Sequence, residues 1–301
     1  MPTDAGTLQD GQLIKEVPCS YSPSQIVQWL SQIGFPTSYR EADVLGGTFP
    51  HTAYAGQARV NTTPNLDNPT FTSLSHMIIF VQPFDKSNKT YIVDVGFGST
   101  GLVRPILLSD AEGNTVIGTT AKERHRLTRG VHPYSSLDTA GASSSRADFT
   151  WNLEVSHTKS DGTPPRWKLL ISFPETESFH IDMENASFVV SMKPEGLFWN
   201  NVLCIKYALL DDIDQFDGDE EAMKQAQAER RGNPEDVAKT FMFRYVMAGK
   251  KLTRNIGNCS VTVMTLESDE DRIRALKDVF GVEIPENALA HVKGRAASLN
   301  G

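Results

Sequence analysis

The chain has 301 residues, of which 39% are hydrophobic and 22% charged, a globular composition long enough for one large or two medium domains at roughly 150 residues each. Its three cysteines, Cys19, Cys204 and Cys259, are far apart and form no C-x-x-C pair, which argues against a disulfide framework and a zinc ribbon and for a reducing setting. The net charge is -8, and residues 211–221 carry seven acidic side chains and no basic one. An acidic chain without a Lys/Arg stripe lacks the phosphate-neutralising surface of a nucleic-acid binder, so no nucleic acid is expected as a partner. The start has no basic stretch followed by an apolar one, and no run approaches the roughly 18 apolar residues that span a bilayer. The expectation is a soluble, cytoplasmic protein without membrane association. The sequons at Asn61, Asn88, Asn185 and Asn258 then read as chance.

In chain order, the first periodic segment is 21–35, with Ile26, Trp29, Leu30 and Ile33 at helical spacing, Ser22 as N-cap, Pro23 at the first position and Gly34 past the end. Residues 36–72 read as loop with one short strand at 55–60. The period then changes to that of strands: 76–82 and 90–95 flank the turn-rich stretch 83–89, which suits a hairpin. Further β-rich runs follow at 149–156, 167–173 and 188–191, and 140–146 reads as a surface loop. Strands at this spacing predict a sheet curled into a barrel or sandwich. Beyond Pro194 the pattern predicts a strand at 202–209, a charged helix at 220–231, a strand at 261–266 and a last helix. That helix is capped by Ser268 with Asp271 three residues on, has Ile273, Leu276, Val279 and Phe280 on its apolar face, and is closed by Gly281. The fold class is α+β: a short helical N-terminal part (1–50), a central antiparallel β-barrel (51–194) and a C-terminal α/β lid (195–301).

The densest chemical signal is Tyr91-Ile-Val-Asp-Val-Gly-Phe-Gly98. An apolar strand that ends on Asp94 and runs into two glycines sets a buried carboxylate beside a backbone that a ligand can approach closely. Taken alone, the string also reads as a strand entering an ordinary glycine turn, and it lacks the third glycine of a dinucleotide fingerprint. His76 opens the preceding strand. If the two strands pair as a hairpin, the start of one lies beside the end of the other and His76 can meet Asp94. Such a pair orients an imidazole and stabilises its protonated form, which a base needs when it activates a thiol or hydroxyl. A lone His at a strand start is more often structural, and the pairing with Asp94 is what raises it. The other histidines show no ligand spacing, so no metal site is expected.

Together these residues resemble the arylamine N-acetyltransferase family, its fungal members in particular. Ser75-His76-Met77 and Val93-Asp94-Val95-Gly96-Phe97-Gly98 are similar to the family's His and Asp segments, and the following stretch to Pro105 resembles the fungal continuation. The stretches Glu177-Ser-Phe-His-Ile-Asp-Met-Glu-Asn185, Ser191-Met-Lys-Pro194 and Glu270 to Lys277 resemble later family motifs. The resemblance covers roughly residues 56–299 plus the first helix. It implies an acyl-CoA-dependent N-acyltransferase of xenobiotic or secondary metabolism. Acetyl-CoA, or another short acyl-CoA, would be the cosubstrate and an aromatic amine the acceptor. The mechanism implied is ping-pong, by a cysteine thiolate activated by His76 with Asp94 holding the ring. By the same resemblance Phe97 lines the acceptor pocket, and Gly96, Gly98, Thr100 and Gly101 lie on the cofactor side.

The departure concerns the nucleophile, since the family's R-G-G-x-C string does not occur. In one register 21–36 is the family's first helix and 55–60 the strand after its cysteine helix, which leaves about eighteen residues for a segment several times longer in the family. In the other, Cys19 stands fifteen residues before Gly34-Phe35, resembling the family's spacing from the catalytic cysteine. Cys19 is then the candidate nucleophile; Cys204, inside an apolar strand, and Cys259, after a polar turn, read as inert. The alternative to an enzyme is a non-catalytic or incomplete family member that keeps the pocket and acts as a binding or partner protein.

Overall fold

The computed structural model describes residues 52–63, 68–82, 87–94, 96–136, 149–158, 165–194, 196–213, 220–257, 259–284 and 289–299. The expected helix at 21–35, the candidate nucleophile Cys19 and the expected loop at 140–146 lie outside the described residues. The chain divides into two compact units: residues 122–189 join the segment ending at Gly118 to make one, and residues from 190 onward with 119–121 make the other.

The first unit is built on eight antiparallel strands: β1 (Thr52–Asn61), β2 (Phe71–Gln82), β3 (Tyr91–Val93), β4 (Ile106–Leu107), β5 (Thr115–Ile117), β6 (Glu123–Val131), β7 (Phe149–His157) and β8 (Trp167–Phe173). They form one sheet in the order β4-β3-β2-β1-β8-β7-β6-β5. Strands from both ends of that order feed one core, in which Ile92 and Ile106 share a cluster with Leu127, Trp151, Leu153 and Val155. The sheet therefore curls on itself, as expected of a barrel. The edge strands are fastened by side chains: Arg104, just before β4, donates to the carbonyls of Ile117 and Gly118 at the end of β5, and the Asn114 amide donates to Leu107 O. Closure of this kind removes exposed strand edges.

The continuous apolar run in β2 has a simple cause. Successive side chains of a strand point to opposite faces, so Ile78 and Phe80 enter the main core while Ile79 and Val81 pack with Val93 on the other face. Gly56 of β1 lets that packing close, because a Cβ there would stand 2.3 Å from the Phe80 ring.

Most predicted strands are present with shifted ends. The run 188–191 is a correction: it lies within helix α1 (His180–Met192), not a strand. Asp182 accepts from Phe179 N, a side-chain cap that starts the helix, and local capping with i→i+4 bonding outweighs the β preference of Val189 and Val190. Strand β6 is absent from the pattern reading because its outward residues are charged. Its sequence ERHRLTRGV sets Glu123, His125 and Leu127 inward and buried, alternating with exposed or half-buried partners.

The second unit holds a four-stranded antiparallel sheet in the order β12-β11-β10-β9, from β9 (Leu203–Leu209), β10 (Met242–Ala248), β11 (Lys251–Ile256) and β12 (Cys259–Thr265). The helices with it are α2 (Leu197–Asn200), α3 (Glu220–Arg230), α4 (Glu235–Ala238), α5 (Asp269–Asp278) and α6 (Leu289–Val292). The start of α5 is as expected: Ser268 Oγ accepts from Asp271 N, and Gly281 ends the turn with φ 68°. Among the described residues no helix is long and apolar enough to cross a membrane.

A buried ion pair fastens the chain after α6 to α5. Asp269 accepts from Arg272 at 2.6 Å, from Ser298 Oγ at 2.8 Å and from Leu299 N at 3.1 Å, and Arg272 also donates to Ala297 O at 2.9 Å. Removing one partner strands the other charge in a dry site, so Asp269→Leu should cost about 3 kcal/mol, while the apolar double variant Asp269→Leu/Arg272→Met should recover much of it. Urea unfolding midpoints of the single and double variants check this.

Candidate active site

The site is assembled by strand parity and register. In the β2–β3 ladder Ile79 faces Val93 and Phe80 faces Ile92, and one further step puts Asp94 opposite Ile78. His76, two residues along on the same inner face, is then diagonal to Asp94, a separation a long side chain bridges. The imidazole does so: His76 Nε2 lies 2.8 Å from Asp94 Oδ2, with the side chains 14% and 0% exposed. The pairing expected from the hairpin is present.

The position of His76 in its strand is a correction. It does not open the strand but sits five residues after Phe71, at a register irregularity where Ala58 faces His76 and Arg59 faces Leu74. Ser75 is the extra residue of this bulge. Bulges re-aim side chains and recur beside active sites, and nothing in the string Leu-Ser-His signals one.

Asp94 is held on both oxygens. Oδ2 meets the His76 ring, while Oδ1 accepts the backbone N–H groups of Gly96 and Phe97 at 3.1 Å each. The glycine after the strand therefore serves the carboxylate first. A Cβ on Gly96 would come 4.0 Å from His76 Cε1, so glycine keeps that edge of the ring open. The other side is walled by Phe97, edge-on at 5.4 Å between centroids.

Burial alone would lower the His76 pKa, but the charge of Asp94 and the hydrogen bond to it together outweigh that and raise it above the ordinary imidazole value. With Nε2 committed to Asp94, Nδ1 has no hydrogen bond among the described residues. That leaves one nitrogen fixed and one available as a base, the division of labour of a nucleophile–His–carboxylate arrangement. A group whose pKa is raised in the folded state contributes stability that is complete below its unfolded value of about 6.5 and is lost as pH rises through the folded value. The melting-temperature gap between the wild type and His76→Gln should therefore narrow as pH rises from 6 to 9.

The remaining candidates form the turn after Phe97. Gly98 has φ 105°, a value few side chains tolerate. Its carbonyl accepts from Gly101 N at 3.2 Å, and Gly101 is buried against Phe97, where a Cβ would stand 2.7 Å from Phe97 Cβ. The Thr100 carbonyl accepts from His125 Nε2 at 3.0 Å. His125 is a participant the pattern reading missed; the inward alternation of β6 is the signal that could have found it. Cys204 is half-buried in β9 and Cys259 exposed at the start of β12. Among the described residues no group of three or more His, Cys, Asp or Glu could hold a metal ion.

The curled antiparallel barrel that carries this His–carboxylate pair aligns with solved arylamine N-acetyltransferases. The arylamine N-acetyltransferase from Mycobacterium abscessus aligns with a TM-score of 0.50 and 20% identity, over 79% of this chain and 63% of that one. The enzyme from Nocardia farcinica aligns at 0.52 and 17%, over 83% and 67%. Among curated proteins, the N-malonyltransferase FDB2 of Gibberella moniliformis is 24% identical over 217 residues, 72% of this chain and 52% of that protein. The chain thus spans about half the length of the curated relatives it matches. No family model matches it. At these identities the likeness to the solved structures establishes the fold, which the chain shares with arylamine N-acetyltransferases.

Proposed function

We propose that the chain is an acyl-CoA-dependent N-acyltransferase acting on an aromatic amine. The observation that carries this reading is the buried His76–Asp94 pair, with Nδ1 of the ring unengaged among the described residues and Phe97 beside it, on the fold of arylamine N-acetyltransferases. In the first half-reaction His76 Nδ1 takes the proton of a cysteine thiol, and the thiolate attacks the thioester carbonyl of acyl-CoA. The tetrahedral adduct collapses by breaking the bond to the CoA sulfur, which receives the proton from His76. In the second, the amine nitrogen attacks the acyl-cysteine, gives its proton to the same nitrogen and releases the amide and the thiolate. Asp94 holds the ring in one tautomer and balances its charge. Cys19 is the cysteine assigned to this role. The resemblance and the N-malonyltransferase relative together support a short acyl group, acetyl or malonyl.

The test is intact-mass measurement after incubation with acetyl-CoA and, separately, malonyl-CoA, with free CoA measured after an aromatic amine is added. An adduct of one acyl group, absent in Cys19→Ala and discharged by the amine, is the expected result. No adduct and no CoA release with either donor overturns the proposal and leaves the non-catalytic binding protein as the reading of the site.

A further inference from the structure

We infer that His125 is a positioning residue: its hydrogen bond to the Thr100 carbonyl braces the Gly98–Gly101 turn, and through that turn holds Phe97 against His76. The inference rests on the acyl-transfer reading for its kinetic consequence, but its structural half stands alone.

Gly98 is in the positive-φ region, and the turn's internal bond, Gly101 N to Gly98 O, is long at 3.2 Å. His125, 25 residues away in sequence, meets the turn from outside, with Nε2 at 3.0 Å from Thr100 O. His125 is itself anchored, since β6 pairs with β7 along nine successive residues from Glu123 to Val131, and the ring is wholly buried. A histidine on the inner face of a barrel is out of place among the leucine, isoleucine and phenylalanine of this core unless its polarity is used. One nitrogen is used here, on a carbonyl of the turn.

The other nitrogen, Nδ1, is buried without a hydrogen-bond partner among the described residues. That fits a neutral ring in a single tautomer, Nε2–H donating and Nδ1 bare. Burial lowers the pKa of this ring; the Thr100 carbonyl and the charges of Glu123 and Asp94 oppose the effect, and His157 adds to it. The neutral form is therefore favoured and the donor does not depend on pH near neutrality.

From Thr100 the constraint passes to its neighbour. Gly101 lies so close under Phe97 that a single added methyl would collide with it. Phe97 in turn packs T-shaped against the His76 ring and gives its N–H to Asp94. Freeing Thr100 lets the turn, and with it the Phe97 wall, open without cutting the His76–Asp94 bond itself. The side affected is the one that the acceptor amine would meet.

Two variants separate the brace from bulk packing: His125→Gln places an amide N–H where Nε2 stands, and His125→Leu fills the space without a donor. Amide hydrogen exchange of the ligand-free protein is read first. Protection of the Phe97 and Gly101 amides should fall at least about tenfold in His125→Leu and change little in His125→Gln, with Ile79, Phe80 and Val81 unaltered in both. Equal protection of the turn in the two variants overturns the brace. The kinetic reading follows: KM for the amine should rise about tenfold in His125→Leu while the rate of acyl-enzyme formation changes less than about threefold, and His125→Gln should restore wild-type KM. A uniform loss in both half-reactions, or no rescue by Gln, assigns His125 to packing alone. If the wild type transfers no acyl group, the function proposed above fails while the exchange measurement still decides the brace.

Discussion

Replacing His76 by glutamine should reduce acyl-enzyme formation by about a thousandfold at pH 7.5, because positioned proton transfer and thiolate activation are both lost. Stability should fall little. The glutamine amide can still donate toward Asp94 Oδ2, and the two backbone donors on Oδ1 are untouched. Single-turnover CoA release and a thermal melt on the same sample check both halves. A variant that retains a tenth or more of wild-type acylation would remove His76 from the chemistry, whatever its melting temperature.

Asp94 should behave differently, because it is a structural and a chemical residue at once. Its carboxylate is fully buried and satisfies three donors: the His76 ring and the amides of Gly96 and Phe97. Asp94→Ala removes the acceptor of all three, at a cost of about 3 kcal/mol, which lowers Tm by roughly 6–12 °C for a chain of this size. Asp94→Asn separates the roles. An asparagine can present its oxygen to the Gly96 and Phe97 amides, but its NH2 then faces a ring that must change tautomer, with Nδ1 carrying the proton that it should accept. Asp94→Asn should therefore recover at least half of the lost stability while acylation stays depressed by about a thousandfold or more. Equal melting temperatures for Asp94→Ala and the wild type would contradict the three-donor geometry.

The legible part of the site was what is local in sequence. The string Val-Asp-Val-Gly-Phe-Gly announces a strand that ends on a carboxylate, and the hairpin reading brings the start of one strand to the end of the next. Parity does the rest, since His76, Ile78 and Phe80 share a face. The illegible part was what depends on partners far along the chain. The bulge at Ser75 exists because β1 pairs with β2 in a register that slips between Ala58 and Arg59. The run 188–191 reads as a strand by composition and becomes the end of a helix because no neighbouring strand claims it and Asp182 caps the turn that precedes it.

By itself, the amino-acid sequence determined the class of fold, the two residues that make the His–carboxylate pair and the glycines beside them. These are properties of short segments, written in periodicity and in residue types with a fixed chemical use. Tertiary structure alone decided that the pair is bonded through Nε2 and that His125 reaches across from β6 to the turn. The last of these is a contact between segments brought together by closure of the sheet. A hydrogen bond over 25 residues leaves no trace in the spacing of either partner.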